Sequence, residues 1–505
     1  MNLTTLSLPY FRRIFAAEQH AGDDIRASQT ATLHTLLRQG ARTDYGRTCG
    51  LRPGMSYEEF AATVPQGDYP RLRPWVMRMV RGEADVLWPG RCRRFAQSSG
   101  TSDGKSKYIP VTDRSLQRCH YAGAAYSLAS YLHYYPDSRV FGGKNFILGG
   151  SYATELETPR GVCVGDLSAT LIDRINPLVN LFRIPSKRIA LMADWTEKLP
   201  ALIEASRRAD VRSISGVPSW FLTVIKGVIA RQGAGNIRQV WPNLEVFFHG
   251  GIAFGPYREQ YERLAPGCRF WENYNASEGF FGVQARPLEG SATTGKTPQP
   301  PMRLLLNADT FYEFIPADGG DPVPAWEVEE GKVYALLITS SNGLWRYPLG
   351  DTVLIRSRNP LEITIAGRTK HFINAFGEEV MVHNTDAALA HACAATGAEV
   401  ENYTAGPVYA SDRSRGRHQW LIEFAKQPAD LEAFADILDK ALQAENSDYQ
   451  AKRAGGIFLD RLTITPVPAG TFDRWLASTG RLGGQRKVPR LSNDRHILDP
   501  LLSTL

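Results

Sequence analysis

From Ser98 to Lys107 the chain reads Ser98-Ser99-Gly100-Thr101-Ser102-Asp103-Gly104-Lys105-Ser106-Lys107, a dense run of hydroxyls, glycines and lysines. Hydroxyls and bare backbone amides donate to phosphate oxygens and a lysine neutralises their charge, so phosphate binding is the natural chemistry of this segment. It is not a Walker A loop. The spacing from Gly100 to Gly104 is one residue short, and the preceding RCRRFAQ reads as a poor buried strand. Two later segments carry complementary chemistry. In Trp271-Glu272-Asn273-Tyr274-Asn275-Ala276-Ser277-Glu278 an aromatic that can stack on a base precedes a carboxylate that can hold Mg²⁺. In Trp345-Arg346-Tyr347-Pro348-Leu349-Gly350-Asp351 an aspartate after glycine can accept both hydroxyls of a ribose. Taken singly, each also reads as a turn or a helix cap.

The elements that must hold these residues follow from periodicity. Ile25, Leu33, Leu36 and Leu37 recur at helical spacing with Gly40 as a stop, so amphipathic helices open the chain. Phe146-Ile147-Leu148 runs into Gly149-Gly150, and Val246-Phe247-Phe248 runs into His249-Gly250-Gly251. Both have the form of buried strands ending in loops that approach a ligand. Alternation with helical stretches gives an α/β protein. The Gly-, Pro- and Thr-rich stretch from Pro287 to Pro301 reads as an exposed loop, followed by strands at Val333 to Ile338 and around Glu362 to Ile365. Past Lys370 a strand from Trp420 to Phe424, a helix with Leu431, Phe434, Ile437, Leu438 and Leu442 on one face, and a strand near Leu462 to Ile464 describe a separate small α/β domain.

Composition excludes several classes. With 505 residues, 43% hydrophobic and 22% charged, disorder, collagen and coiled coil are not the main architecture. A net charge of +6 on this length is too weak a field for a nucleic-acid binder. Two basic clusters, Arg71 to Arg81 and Arg481 to Arg490, read as solvated faces or as polyanion sites. Cys49, Cys92, Cys119, Cys163, Cys268 and Cys393 show no CxxC pair and no histidine at ligand spacing, so most are expected as buried free thiols. No long uncharged apolar run occurs, and the expectation is a soluble cytoplasmic protein without membrane partners.

In the order SSGTSDGKSK, YNASE, WRYPLGD and GRTKHFIN (367–374), the segments resemble the adenylate-forming superfamily of acyl-CoA synthetases, luciferase-type enzymes and peptide-synthetase adenylation domains. More closely, the sequence is similar to the Gretchen Hagen acyl acid-amido synthetase family, which joins hormone-type carboxylic acids to amino acids. WPNLEVFFHGG followed by PYREQY, and GTF with QRKVPRL, carry the likeness from about residue 90 to about residue 490. The resemblance implies a large N-terminal domain of mixed sheets flanked by helices (1–367), and a smaller mobile C-terminal α/β domain (368–505) with its hinge near Lys370. It also implies ATP and Mg²⁺. Ser98, Ser99, Gly100, Thr101, Ser102 and Lys107 would wrap the phosphates, with Lys105 as the alternative to Lys107. Gly250, Gly251, Tyr274, Asn275, Ala276, Ser277 and Arg368 would line the nucleotide, Asp351 would hold the ribose, and Glu278 the metal. Lys487 would reach the α-phosphate, making Lys487 and Glu278 the catalytic pair. Arg346 is a phosphate contact or a structural one.

His249, Trp220 and Tyr152 are candidates for the acyl pocket, although a hydrogen-bonded structural histidine and a core tryptophan are equally open. Their character favours an aromatic or medium apolar acid. The activity implied is adenylation of a carboxylic acid with release of pyrophosphate, then acyl transfer to an amine, such as an amino acid, with release of AMP. No protein nucleophile is needed, which suits a sequence without GxSxG or a Cys and His pair. Two alternatives remain: an acyl-CoA ligase with the same first half-reaction, and a non-catalytic nucleotide-binding protein.

Overall fold

A computed structural model of the chain describes residues 3–98, 107–152, 154, 156–288, 299–368, 372–411, 414–478, 488–503 and 505. The helices Leu3–Asp23 and Ile25–Gly40 open the fold, with Leu33, Leu36 and Leu37 buried at the expected spacing. Asp24 caps the second helix by accepting from Ala27 N at 2.9 Å. Farther on, helix Tyr69–Val80 starts at Asp68, whose carboxylate accepts from Arg71 N at 3.3 Å, and buries Tyr69, Leu72, Val76, Met79 and Val80. That spacing is one helical stripe, so the basic residues between fall toward its edges.

The central element is a 12-stranded sheet. From edge to edge its strands are Val323–Pro324, Thr310–Pro316, Val333–Ser340, Leu344–Arg358, Leu361–Arg368, Met302–Leu304, Gly279–Gln284, Arg269–Ala276, Val246–Gly250, Val211–Gly216, Lys144–Ile147 and Arg183–Ile184. Neighbours from Arg269–Ala276 to Arg183–Ile184 are parallel. From Gly279–Gln284 to the opposite edge they are antiparallel. The two halves meet at the tight turn joining Arg269–Ala276 to Gly279–Gln284, where Ala276 faces Gly279. The second motif therefore sits at the point where the sheet changes direction.

One expectation is corrected here. Arg94–Ser98, which takes in the last four residues of RCRRFAQ, is a strand with Phe95 and Ala96 wholly buried. It pairs antiparallel with Lys107–Pro110 and parallel with Cys163–Gly165, so partners distant in sequence supply the burial that its charged flanks conceal. Cys163 is exposed, whereas Cys92, Cys119 and Cys268 are buried free thiols.

The chain divides into two compact units, and all the elements above lie in the larger, which runs through Thr369. In the smaller, from Lys370, strand Glu399–Val408 pairs antiparallel with Arg417–Lys426, which pairs parallel with Thr463–Val467. Helix Leu431–Glu445 buries Phe434, Leu438 and Leu442, while Leu431 and Ile437 are half-buried. A core of Leu421, Val467, Phe472, Leu476, Val488, Leu498 and Leu501 closes this unit. Among the described residues no helix is long and apolar enough to cross a membrane.

Candidate functional site

The first motif begins and ends on a hairpin. Ser98 and Lys107 are register partners across their strands, so both ends of the segment come together. Ser99, Gly100, Thr101, Ser102 and Lys105 lie outside the described residues, as do Lys370 and Lys487. Lys107 Nζ donates to the phenol of Tyr347 at 3.3 Å and stands 5.9 Å from the centre of that ring. Since Tyr347 belongs to WRYPLGD, the first and third motifs meet here.

The second and third motifs meet as well. The Tyr274 hydroxyl donates to Asp351 Oδ2 at 2.7 Å, and both residues are buried. A phenol donating to a carboxylate is a charge-assisted bond that holds the carboxylate in place. Asp351 is also the register partner of Arg368, which brings that backbone position to the same strand edge.

Glu278 is buried at the turn between the two halves of the sheet, and its backbone carbonyl accepts from Asn342 Nδ2 at 2.8 Å. Asn342 was not singled out from sequence, since its own neighbours, Ser340-Ser341 before and Gly343 after, read as an ordinary turn. One carboxylate completed by phosphate oxygens is a donor set that suits Mg²⁺. Asn275 and Ala276 end the strand, with Ser277 half-buried in the turn.

Gly250 is required by the same geometry. A Cβ there would come within 2.4 Å of the Asn273 carbonyl oxygen and 2.6 Å of Asn275 Oδ1, so only glycine lets these strand ends close on each other. Gly251 follows with φ +84. His249 is buried, with both ring nitrogens lacking hydrogen-bond partners. Its ring stacks on Phe254 at 4.0 Å, and burial followed by the field of Arg258 pushes its pKa down to about 3. Its register partner Glu272 is pushed up to about 7 by burial, against the pull of Arg258.

Trp220 is half-buried and lies edge-on to Trp195 at 5.6 Å, whereas its neighbour Phe221 is core. The loop carrying Tyr152 is held from below by Lys198, a fully buried ammonium that donates to the carbonyls of Gly149 at 2.6 Å and Gly150 at 3.3 Å. From the side, Asp166 Oδ2 accepts from Ser151 N at 2.7 Å. Neither Lys198 nor Asp166 carries a local sequence signal. Of the two readings open for Arg346, the structure supports the structural one. Each of its three guanidinium nitrogens already donates within the protein, to Glu313 and to the carbonyls of Ala61 and Val64.

A direction-changing sheet with nucleotide-type motifs at strand ends, joined to a smaller α/β unit, defines the adenylate-forming fold. The structure aligns over 95% of its length with AtGH3.15 acyl acid amido synthetase in complex with 2,4-DB, covering 93% of that chain at a TM-score of 0.59 and 19% identity. A 2-hydroxyisobutyryl-CoA ligase in complex with 2-HIB-AMP and CoA aligns over 95% of this chain and 91% of its own, at a TM-score of 0.56 and 14% identity. The chain itself belongs to the GH3 family: it matches the GH3 N-terminal domain over residues 18–201, the central domain over 303–368 and the C-terminal domain over 383–496. Among curated relatives, the indole-3-acetic acid-amido synthetase GH3.3 of Arabidopsis thaliana is 22% identical, with 94% of this chain and 90% of the relative covered. The jasmonoyl-L-amino acid synthetase GH3.5 of Oryza sativa subsp. japonica is 24% identical over 66% of this chain and 68% of its own.

Proposed function

We propose that this protein is an ATP-dependent acyl acid-amido synthetase, which adenylates a carboxylic acid and passes the acyl group to the amine of an amino acid. The observation that carries this reading is the Tyr274 to Asp351 hydrogen bond, which joins two motifs 77 residues apart at one buried point in a GH3-family chain.

The chemistry asks for positioning and charge neutralisation. The acid's carboxylate oxygen attacks the α-phosphorus of ATP, the bond to the β-phosphate oxygen breaks, and pyrophosphate leaves. Asp351 fixes the ribose, with its second partner Tyr274 holding the carboxylate in place. Lys107 faces the phosphates from the hairpin end. Glu278, aimed by Asn342 through its backbone, would hold Mg²⁺, which supplies charge neutralisation on the phosphates when bound. The amine then attacks the acyl carbonyl, AMP leaves, and the amine proton passes to solvent. Lys487 of the small unit would meet the α-phosphate in the first step, and its unit would then swing away for the second. Tyr152 and Trp220 are the acyl-pocket candidates that border half-exposed space, which favours an aromatic or medium apolar acid.

Incubation of the protein with ATP, Mg²⁺, an aryl or indolyl acid and a mixture of amino acids tests the proposal. Mass spectrometry should find an acyl amide together with AMP. ADP as the nucleotide product, or a thioester in place of the amide when coenzyme A is supplied alongside, would overturn it.

A further inference from the structure

The basic cluster from Arg71 to Arg81 resolves into unequal members. Arg78 is held by Asp44 and Glu83, Arg81 lies 3.6 Å from Glu83, and Arg71 donates to the carbonyl of Gln66 at 3.3 Å. Arg73 differs. It is half-buried, its Nε is buried without a hydrogen-bond partner, and no carboxylate pairs with it among the described residues. A guanidinium sunk beside protein surface without a counter-charge is costly, and an anion from outside would relieve that cost.

Its surroundings say which anion. Arg73 lies one turn after Tyr69 on the same helix, so the two side chains are neighbours. The Tyr69 hydroxyl accepts from the backbone N of Tyr108 at 2.6 Å, which pins the helix to the strand that Lys107 begins. Burial raises the Tyr69 phenol pKa, with the field of Tyr347 adding to that rise and that of Arg73 opposing it. Tyr347 is also the group to which Lys107 donates. Arg73 thus stands one helical turn from a phenol that is pinned to the strand Lys107 begins, and among the described residues Lys107 likewise finds a phenol and not a carboxylate. A polyanion that reaches both cations would gain from each.

We infer that Arg73 and Lys107 together bind the polyphosphate end of ATP and the pyrophosphate that leaves, with Arg73 supplied by a helix that none of the nucleotide motifs includes. The inference rests on the adenylation reading and adds a residue to it. A planar guanidinium can take two phosphate oxygens at once, while the Lys107 ammonium acts as a point charge.

Titration calorimetry on the full chain with Mg²⁺ separates the possibilities, using ATP, pyrophosphate and AMP as probes. In Arg73→Ala, affinity for ATP and for pyrophosphate should fall about tenfold or more, while affinity for AMP changes less than about twofold. Arg73→Lys should recover part of the loss, and raising the salt concentration should weaken pyrophosphate binding more in the wild type than in Arg73→Ala. Unchanged ATP and pyrophosphate affinity in Arg73→Ala, or an equal loss for AMP, would overturn the role of Arg73 and leave the adenylation reading standing. A wild-type protein that binds neither ATP nor pyrophosphate would remove both.

Discussion

In the antiparallel half of the sheet, Arg346 donates to Glu313 and to two backbone carbonyls, and Glu313, wholly buried, has the Tyr57 hydroxyl as a further donor. In the parallel half, His249 and Glu272 are equally buried, yet His249 has no hydrogen-bond partner and Glu272 is shifted to about 7. The contrast separates two uses of buried charge. A closed set, in which each guanidinium nitrogen already donates to protein, ties a helix to a sheet. An open one stays titratable, and here it lies one residue from Gly250, where the strand ends close around the second motif. Arg346 and Arg73 repeat the contrast within the larger unit: the arginine inside a nucleotide-type motif is structural, and the one outside it has the unused donor.

Breaking the closed set should cost the most. Arg346→Met strands Glu313 in the interior and should lower stability by about 3 to 5 kcal/mol, read as a fall in the urea midpoint at unchanged slope. A midpoint within error of wild type would show that the set is not closed. Asp351→Ala, by contrast, should lower stability less, by about 1 to 3 kcal/mol for the stranded Tyr274 hydroxyl, and reduce adenylation by about a hundredfold, the worth of a charge-assisted hydrogen bond to substrate of about 3 kcal/mol.

The open pair predicts the shape of the pH profile. Folding raises Glu272 from 4.5 to about 7, so the stability associated with it is full at low pH and is lost as pH rises through that window. Glu18, also raised from 4.5 to about 7 by burial, acts in the same direction. His249 works oppositely. Its fall from 6.5 to about 3 means that stability is full above 6.5 and is lost as pH drops toward 3. Glu272→Gln should therefore flatten the fall of denaturation midpoint between pH 4.5 and about 7, and His249→Gln the opposing loss from pH 6.5 down to about 3. Identical limbs in variant and wild type would contradict the open assignment. The smallest effect expected is that of Tyr274→Phe. Losing one hydrogen bond to Asp351 should weaken ATP binding by about 1 kcal/mol, roughly fivefold, measured as the KM for ATP.

Much of this was legible in sequence because it is local. Glycines after short apolar runs marked strand ends, and hydroxyl, aromatic and carboxylate spacing marked the motifs whose residues the fold brings into contact. What escaped depends on partners far along the chain. Arg94–Ser98 becomes a buried strand only through residues 107–110 and 163–165. Asn342 supports Glu278 across 64 residues, and the fate of Arg346 is decided by Glu313, 33 residues away. Nor could spacing alone sort the arginines of helix Tyr69–Val80, since Arg78 is neutralised by Asp44, on a different helix.

The central claim is that the joined motifs form an adenylation site, and exchange between ATP and labelled pyrophosphate with Mg²⁺, run with a panel of aryl, indolyl and fatty acids and no amine, tests it most directly. The account predicts exchange that depends on the acid and is lost in Asp351→Ala. Exchange independent of any acid, or as fast in Asp351→Ala as in wild type, would contradict it.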